Sequence, residues 1–419
     1  MLSYTRFFSR VAQNAINFGL VLLISEETGK AFLSSLLVLA LVVPSTVAGI
    51  VAGTAADTLP KRLLVFSGDM VRAGICLYFL RDGGGIATYY LVAILLATAT
   101  QFASSAEGAI LPAIVERSAY ARANAISHAV GGAAQLVGLG VVTPVVLRVF
   151  DSPRTLFAVC ALLFSIAAIQ SVFIGRTTSP KRQEVGGGEP AGSWWLTGWR
   201  AMRADRLVMR ACVELTLIST ALIILSGLIP KYIEDVLDLP VDIGAVILTP
   251  AALGVVAGLR VASFLSHRVP HAFLSTTGFL SFTVWLALLA FVNKEADFLG
   301  GYGFLSWLQD IRIGRFDGGG VMAMVIAAPL GFSFALVSVA AQTVIDDRVP
   351  LHLRGRVGAT QAAMSALAAS LPVLVAGGLG DLVGVPPVIA GVAIAIGVIA
   401  LLNLRDSDSP PAGRREYIG

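Results

Sequence analysis

Residues 53–62 read GTAADTLPKR, a short polar turn enclosed by two long apolar segments at about 31–56 and 63–80. Each apolar segment is long enough for a helix to cross the hydrocarbon core of a bilayer, which takes about 20 residues. The turn carries Pro60 and the neighbouring cations Lys61 and Arg62, which mark a helix boundary at a membrane surface. The stretch therefore predicts two membrane-spanning helices joined by a tight basic connection.

The same alternation of apolar segments and short polar turns extends over the whole chain. Of its 419 residues, 56% are hydrophobic and only 13% are charged, with a mean hydropathy of +0.82. A water-soluble domain carries about 25% charged residues, and a membrane β-barrel would show alternating segments of about ten residues. The sequence thus predicts an all-α membrane protein with about twelve transmembrane helices in two pseudo-symmetric six-helix bundles. The predicted spans lie near residues 10–25, 31–56, 63–80, 86–112, 124–147, 155–175, 208–229, 241–265, 272–292, 319–345, 357–380 and 385–404.

Orientation follows from the basic residues. With the N-terminus inside, 20 of the 30 Lys and Arg fall in inner segments and 8 in outer ones, so both termini are expected in the cytoplasm of a multi-pass protein of the cell (inner) membrane. We predict an N-terminal bundle at 1–175, a cytoplasmic linker with an interfacial helix at 176–207, a C-terminal bundle at 208–404 and a cytoplasmic tail at 405–419. GIVAG at 49–53 and GVVAG at 254–258 occupy equivalent places in the two halves, as a duplication predicts.

The linker contains a candidate amphipathic helix. Trp195, Trp199 and Met202 follow i, i+4, i+7 spacing beside Arg200 and Arg203, which is typical of a helix lying on the inner leaflet. A soluble linker helix is the alternative.

Asp57 follows small residues at a helix end and can accept hydrogen bonds from a helix N-terminus or an arginine, which would latch the inner face shut. Its turn resembles the G-x-x-x-D-x-x-x-R/K-R/K loop of the major facilitator superfamily. AILPAIVERSAYARANA at 109–125 and VIDDRVPLHLRGRVGA at 344–359 are similar to loops in the drug-efflux branch with macrolide-efflux and enterobactin-export proteins. The resemblance implies a secondary transporter with alternating access. The gating motif that we predict comprises Gly53, Asp57, Lys61, Arg62, Arg122, Arg354 and Arg356.

Ionisable side chains inside spans are functional candidates, because burying a charge in lipid is costly. Asp69 and Arg72 lie three residues apart and can pair on one helical face, either as a structural ion pair or as part of a proton-coupling site. Glu107 lies in the fourth span, with no cation within a helical turn along the chain. It is either a proton-binding carboxylate or close enough to the inner surface to be solvated. Asp69 and Glu107 are the candidates for proton coupling.

Neutral polar side chains inside spans can line a transport cavity or bond between helices. The candidates for cavity lining are Asn14, Asn17, Gln101, Gln135 and Gln342.

The function that we predict is secondary active export of a small amphipathic or hydrophobic molecule with proton coupling, by a monomer in the lipid bilayer. No catalytic residues, cofactor, metal site or nucleic-acid partner are predicted; the chain lacks a phosphate-binding loop and clustered His/Cys ligands. One alternative is transport of lipid or lysolipid. Another is a receptor or scaffold without transport, acting through an outer loop at 293–320.

Overall fold

The computed structural model describes residues 2–80, 85–114, 127, 130–135, 137–150, 152–173, 194–265, 268–269, 271–292 and 318–405. All regular secondary structure in these ranges is helical. We number the helices α1 (Leu2–Thr28), α2 (Ala31–Thr58), α3 (Lys61–Phe79), α4 (Ile86–Ile114), α5 (Thr143–Phe150), α6 (Pro153–Val172), α7 (Trp194–Ala204), α8 (Arg206–Asp235), α9 (Val241–Leu265), α10 (His271–Ala290), α11 (Gly318–Arg348), α12 (Leu351–Val383) and α13 (Val385–Arg405). A π-helical turn at Gly138–Val142 leads directly into α5.

Eleven of the twelve predicted spans coincide with one of these helices, and the predicted all-α membrane fold is confirmed. The predicted span at 124–147 lies partly outside the described residues. Nine described segments are long and apolar enough to cross a bilayer. Large apolar side chains stand exposed on the outside of the helices, as with Leu367 at 75% and Leu382 at 82%. Soluble monomers rarely expose broad apolar surfaces of this kind, whereas lipid stabilises them.

The two halves of the chain repeat one packing scheme. In the first half α2 packs on α4, and α3 packs on both α4 and α6. In the second half α9 packs on α11, and α10 packs on both α11 and α13. Each of these helices of the first half thus has a counterpart in the second half with the same neighbours, which supports the internal duplication and the two pseudo-symmetric bundles. The residue bounds that we give to the bundles, linker and tail stay predictions.

The two halves contact each other in two places. α2 packs against α12 and α8, while the π turn and α5 pack against α9. Glycines allow the second contact: a Cβ on Gly140 would lie 2.8 Å from the Thr249 Oγ1 of α9. The neighbouring Gly138 lies equally close to α1, where an added Cβ would lie 2.7 Å from the Val11 carbonyl oxygen. The π turn therefore joins α1 to the second half.

Helix α7 lies within the predicted linker, and part of its apolar face packs on protein. Met202 is fully buried in a cluster with Val208, Cys212 and Val357. At Gly198 the α7 backbone comes so close to α12 that an added Cβ would lie 2.7 Å from the Arg356 carbonyl oxygen. Met202 therefore contacts protein and not lipid, and the interfacial position of the linker helix stays a prediction.

We call the side of the membrane where α1 begins the near face and the opposite side the far face. Asp205 ties the near-face ends together, because its carboxylate accepts from the Leu207 N–H at the start of α8 at 2.8 Å and pairs with Arg348 at the end of α11 at 3.0 Å.

Candidate functional site

A stripe of polar side chains runs along one side of α1 through the first half. Arg6, Ser9, Gln13 and Asn17 recur at near-helical spacing and face α3 and α4. The Gln13 side chain donates to Asn17 Oδ1 at 2.7 Å and accepts from Thr100 Oγ1 at 2.6 Å. The stripe thus places a connected polar path inside an apolar helix bundle, where each bond stabilises groups that lipid cannot satisfy.

Glu107 of α4 lies at the near-face end of this stripe and is paired with Arg6. The Arg6 Nε atom is 3.7 Å from Glu107 Oε2, and the side chains are 9% and 5% exposed. The same guanidinium donates to the Glu107 backbone carbonyl and to Ser127 Oγ. Of the two interpretations from the sequence, solvation at the surface is therefore wrong, because the carboxylate is buried against a cation supplied by another helix.

Asp69 of α3 occupies the middle of the stripe. Its Oδ1 atom accepts from Ser9 Oγ at 3.0 Å and from the Arg72 guanidinium, which also donates to Ser9 Oγ at 3.0 Å. Arg72 lies over the Phe164 ring at 4.7 Å from its centroid. Within the described residues the fully buried Oδ2 atom of Asp69 has no hydrogen-bond donor. The expected pairing of Asp69 with Arg72 is present, with one carboxylate oxygen left open.

The second half carries a related carboxylate–arginine–serine cluster with the acid on the other helix. Glu214 of α8 accepts from Arg210 Nε at 2.9 Å and from Ser275 Oγ of α10 at 2.5 Å. Helices α8 and α10 occupy the places of α1 and α3, so the bond between Ser275 and Glu214 joins the counterparts of the two helices that Ser9 and Asp69 join. A tie between the first and third helices of a half is therefore repeated. This favours a structural role for the Asp69–Arg72 pair.

Part of the predicted gating motif lies outside the described residues. The surroundings of Gly53, the side chain of Asp57 and the whole of Arg122 fall there, so the inner latch stays a prediction. Lys61 and Arg62 are half-buried at the start of α3.

The two gating arginines predicted in the second half lie at the start of α12. The Arg354 guanidinium donates to the carbonyls of Asp346 and Val349, the latter at 3.0 Å. It thereby binds the open carbonyl end of α11 within its own half. Arg356 accepts through its carbonyl from Thr360 Oγ1 at 2.8 Å and lies beneath α7.

The candidate cavity amides do not form one cluster. Asn17 belongs to the α1 stripe, and Asn14 donates to the Arg10 carbonyl at 2.8 Å. Gln101 is half-buried in α4, and Gln135 is exposed. Gln342, also exposed, donates to Asp346 at 3.3 Å near the near-face end of α11. Gln342 is therefore placed at the rim of the bundle and not at its middle.

Arg6 is a candidate site residue that the sequence alone did not single out. It is separated by 101 residues from Glu107, so no local pattern joins them. A usable signal existed, because polar residues at helical spacing along the apolar α1 predict an inward-facing stripe.

Comparisons with known proteins agree with this architecture. The family model described as Major Facilitator Superfamily matches residues 2–371. The chain belongs to the Major Facilitator Superfamily. It is therefore a multi-pass membrane transporter with a small-molecule substrate, and not an enzyme.

Relatives within the superfamily include multidrug efflux pumps. The protein called multidrug efflux pump Tap in Mycobacterium tuberculosis (strain ATCC 25618 / H37Rv) is 25% identical over 396 residues, covering 91% of this chain and 87% of the relative. The Tap pump of Mycolicibacterium fortuitum is 23% identical over 403 residues, covering 92% and 91%.

Among solved structures, the nucleoside transporter NupG matches with a TM-score of 0.72 at 12% identity, covering 98% of both chains. A variant of NupG gives a TM-score of 0.74 at 12% identity, covering 96% of this chain and 98% of that one. At this identity the match shows the superfamily fold alone.

Proposed function

We propose that this chain exports a small apolar or amphipathic molecule by alternating access, and that proton binding at Glu107 drives the cycle. In this proposal both termini are cytoplasmic, the near face is the inner face, and the working unit is a monomer. The Tap relatives support export, because the sequence of a multidrug efflux pump matches 91% of this chain.

The observation that carries the proposal is the buried pairing of Glu107 with Arg6. A buried carboxylate is tolerated as an anion only while a cation compensates it, because desolvating an unpaired charge is costly. At 3.7 Å the contact between Arg6 Nε and Glu107 Oε2 is looser than a hydrogen bond. Protonation of Glu107 would remove the charge attraction between its carboxylate and Arg6 and leave the Arg6 bond to the Glu107 backbone carbonyl, so α1 would be held less firmly against α4. A proton would thus change the packing of two helices.

The distribution of charge supports an apolar or amphipathic substrate. In the first half the ion pairs of Arg6 with Glu107 and of Arg72 with Asp69 are buried and compensated. The accessible polar side chains there include the neutral amide of Gln135. A surface of this composition would hold a substrate through apolar contact and a few amide hydrogen bonds.

The test is flux into proteoliposomes that contain the purified protein under an imposed pH gradient. Four probes separate the candidate substrates: the hydrophobic cation tetraphenylphosphonium, a neutral apolar dye, uridine and a fluorescent lysolipid. We expect gradient-driven movement of tetraphenylphosphonium or the dye. Movement of lysolipid alone would establish the lipid alternative, and no movement of any probe would contradict the proposal.

Glu107→Gln tests the coupling residue, and Glu214→Gln is the matched control. Both acids are buried and paired with an arginine, in the first and second halves respectively. We expect Glu107→Gln to bind the probe but to lose the dependence of its flux on the pH gradient, while Glu214→Gln keeps that dependence. Gradient-driven flux that persists in Glu107→Gln would remove this residue from the coupling mechanism.

A further inference from the structure

The far-face end of α2 is held by a carboxylate from the other half of the chain. Asp381, near the end of α12, accepts through Oδ1 from the Ala31 N–H at 2.8 Å and through Oδ2 from the Phe32 N–H at 3.0 Å. These are the first two N–H groups of α2, which lack partners inside their own helix. Lys30, the residue before α2, gives no side-chain cap within the described structure. The cap comes from 350 residues away instead.

Lys231 of α8 completes this arrangement. Its Nζ atom donates to Asp381 Oδ1 at 2.8 Å and to the Gly29 carbonyl, in the turn between α1 and α2, at 3.2 Å. One carboxylate and one ammonium thereby connect α2 and its preceding turn to both α8 and α12. We call Asp381, Lys231 and the α2 N-terminus the far-face clamp.

The position of Asp381 in its own helix makes a purely local role unfavourable. A carboxylate at a helix C-terminus faces the negative end of the helix dipole, whereas a carboxylate at a helix N-terminus is stabilised by the positive end. Asp381 lies at the C-terminal end of α12 and at the N-terminal end of α2. Its two bonds to the α2 N-terminus therefore exist only while the halves touch at the far face, whereas Lys231 accompanies Asp381 within the second half.

Close packing beneath the clamp shows that the halves touch there. Ser35, one turn into α2, is fully buried between two glycines of the second half. A Cβ on Gly227 of α8 would lie 2.6 Å from Ser35 Oγ, and one on Gly377 of α12 would lie 2.5 Å from the same atom. The three helix backbones meet with only the small Ser35 side chain between them at this level, so the far face is closed in this conformation.

We infer that Asp381 and Lys231 form the lock of the far-face gate, and that the lock must break each time the pathway opens to that side. Separation of the halves removes both capping bonds and the bond from Lys231 to the Gly29 carbonyl together, and it leaves the Asp381–Lys231 ion pair within the second half. The clamp thus sets the ratio of far-face-closed to far-face-open molecules. This inference rests on alternating access in the proposed function but on neither the substrate nor the proton.

The experiment measures spin-label distances across the far face in lipid nanodiscs, with labels on Lys30→Cys and Glu234→Cys. Both positions are exposed and lie in opposite halves, and the native cysteines are buried. We expect Asp381→Ala to lower the closed-to-open ratio by about five-fold or more, the typical effect of losing a helix cap. Asp381→Asn keeps the size and an acceptor oxygen and is expected to give a smaller shift.

Asp235→Ala is the matched control. Asp235 also faces Lys231, at 3.9 Å, but it is about half exposed and caps no helix. We expect its ratio to stay within about two-fold of the wild-type value, because exposed ion pairs contribute little.

Exchanging the charges of the clamp separates the cap from the ion pair. The double variant Lys231→Asp with Asp381→Lys restores the pair but places a cation at the α2 N-terminus, so we expect it to stay open. Distances in Asp381→Ala equal to wild type, or a closed double variant, would overturn the inference. This experiment uses neither substrate nor a pH gradient. A negative result would therefore count against the far-face lock alone, and the coupling role of Glu107 is tested separately by the flux assay.

Discussion

Gly377→Ala is the sharpest structural test of the closed far face. The added methyl group would lie 2.5 Å from Ser35 Oγ, 2.7 Å from Ser35 Cβ and 2.9 Å from the Ala31 carbonyl oxygen. Real Cβ atoms do not approach neighbours this closely, and two of these three atoms cannot rotate away. The closed contact between α12 and α2 must therefore widen.

The magnitude follows from overpacking. An extra methyl group in a tight contact costs about 1–3 kcal/mol, which corresponds to an approximately 5- to 150-fold change in an equilibrium ratio. The cost falls on the closed state only, because the contact is absent once the halves separate. Alanine also favours the helical backbone by up to about 1 kcal/mol over glycine, but α12 is expected to be helical in both states, so this gain cancels.

Gly378→Ala is the matched control at the adjacent position. Its Cβ would lie 3.7 Å from the Phe32 ring, an ordinary van der Waals contact. The assay is the distance distribution between labels at Lys30 and Glu234 in nanodiscs. We expect Gly377→Ala to shift towards the long distance and Gly378→Ala to match the wild type. Identical distributions for the two variants would refute the close packing on which the far-face gate depends.

Three further predictions concern the packing inside the halves and at the near face. Arg72→Ala leaves Asp69 buried without its cation and should lower the free energy of unfolding by about 3–5 kcal/mol, measured by denaturant unfolding. Adding Asp69→Ala should recover most of that loss. A double variant that is no more stable than Arg72→Ala would argue against the ion pair. Gly198→Ala would place a methyl group 2.7 Å from a carbonyl oxygen of α12, so α7 should become sensitive to limited proteolysis. In the control Gly355→Ala the added methyl group has open space around it, and α7 should stay as resistant as in the wild type. In Gly254→Ala the added methyl group would lie 1.8 Å from a carbonyl oxygen of α11, so size-exclusion chromatography should show little folded protein. A normal monodisperse peak would contradict the packing of α9 on α11.

The helices could be predicted from the sequence because span length and apolarity are local properties. The boundaries were harder to predict: the first predicted span begins at residue 10, while α1 begins at Leu2. Arg6 and Ser9 lower the local hydropathy of this segment, although both side chains turn inward and find partners in the bundle. Apolarity alone thus underestimates a helix whose polar residues are satisfied by its neighbours.

Partners that lie far away along the chain could not be predicted from the sequence. Asp69 and Arg72 are three residues apart, so their pairing follows from helical geometry. Arg6 meets Glu107, and Asp381 meets α2, only through the packing of whole helices. The sequence did hold a hint for Asp381, since an acid at a helix C-terminus is unfavourable unless a partner outside the helix compensates it.

Proton exchange at Glu107 on substrate binding is the most direct test of the coupling claim. Purified protein in weakly buffered solution with a pH-indicator dye is mixed with tetraphenylphosphonium, or with whichever flux probe it transports. Binding of the probe should change the number of protons that the wild-type protein holds, and Glu107→Gln should bind the same probe without such a change. Equal proton exchange by both proteins would contradict the account, because the carboxylate that exchanges the proton would then lie elsewhere.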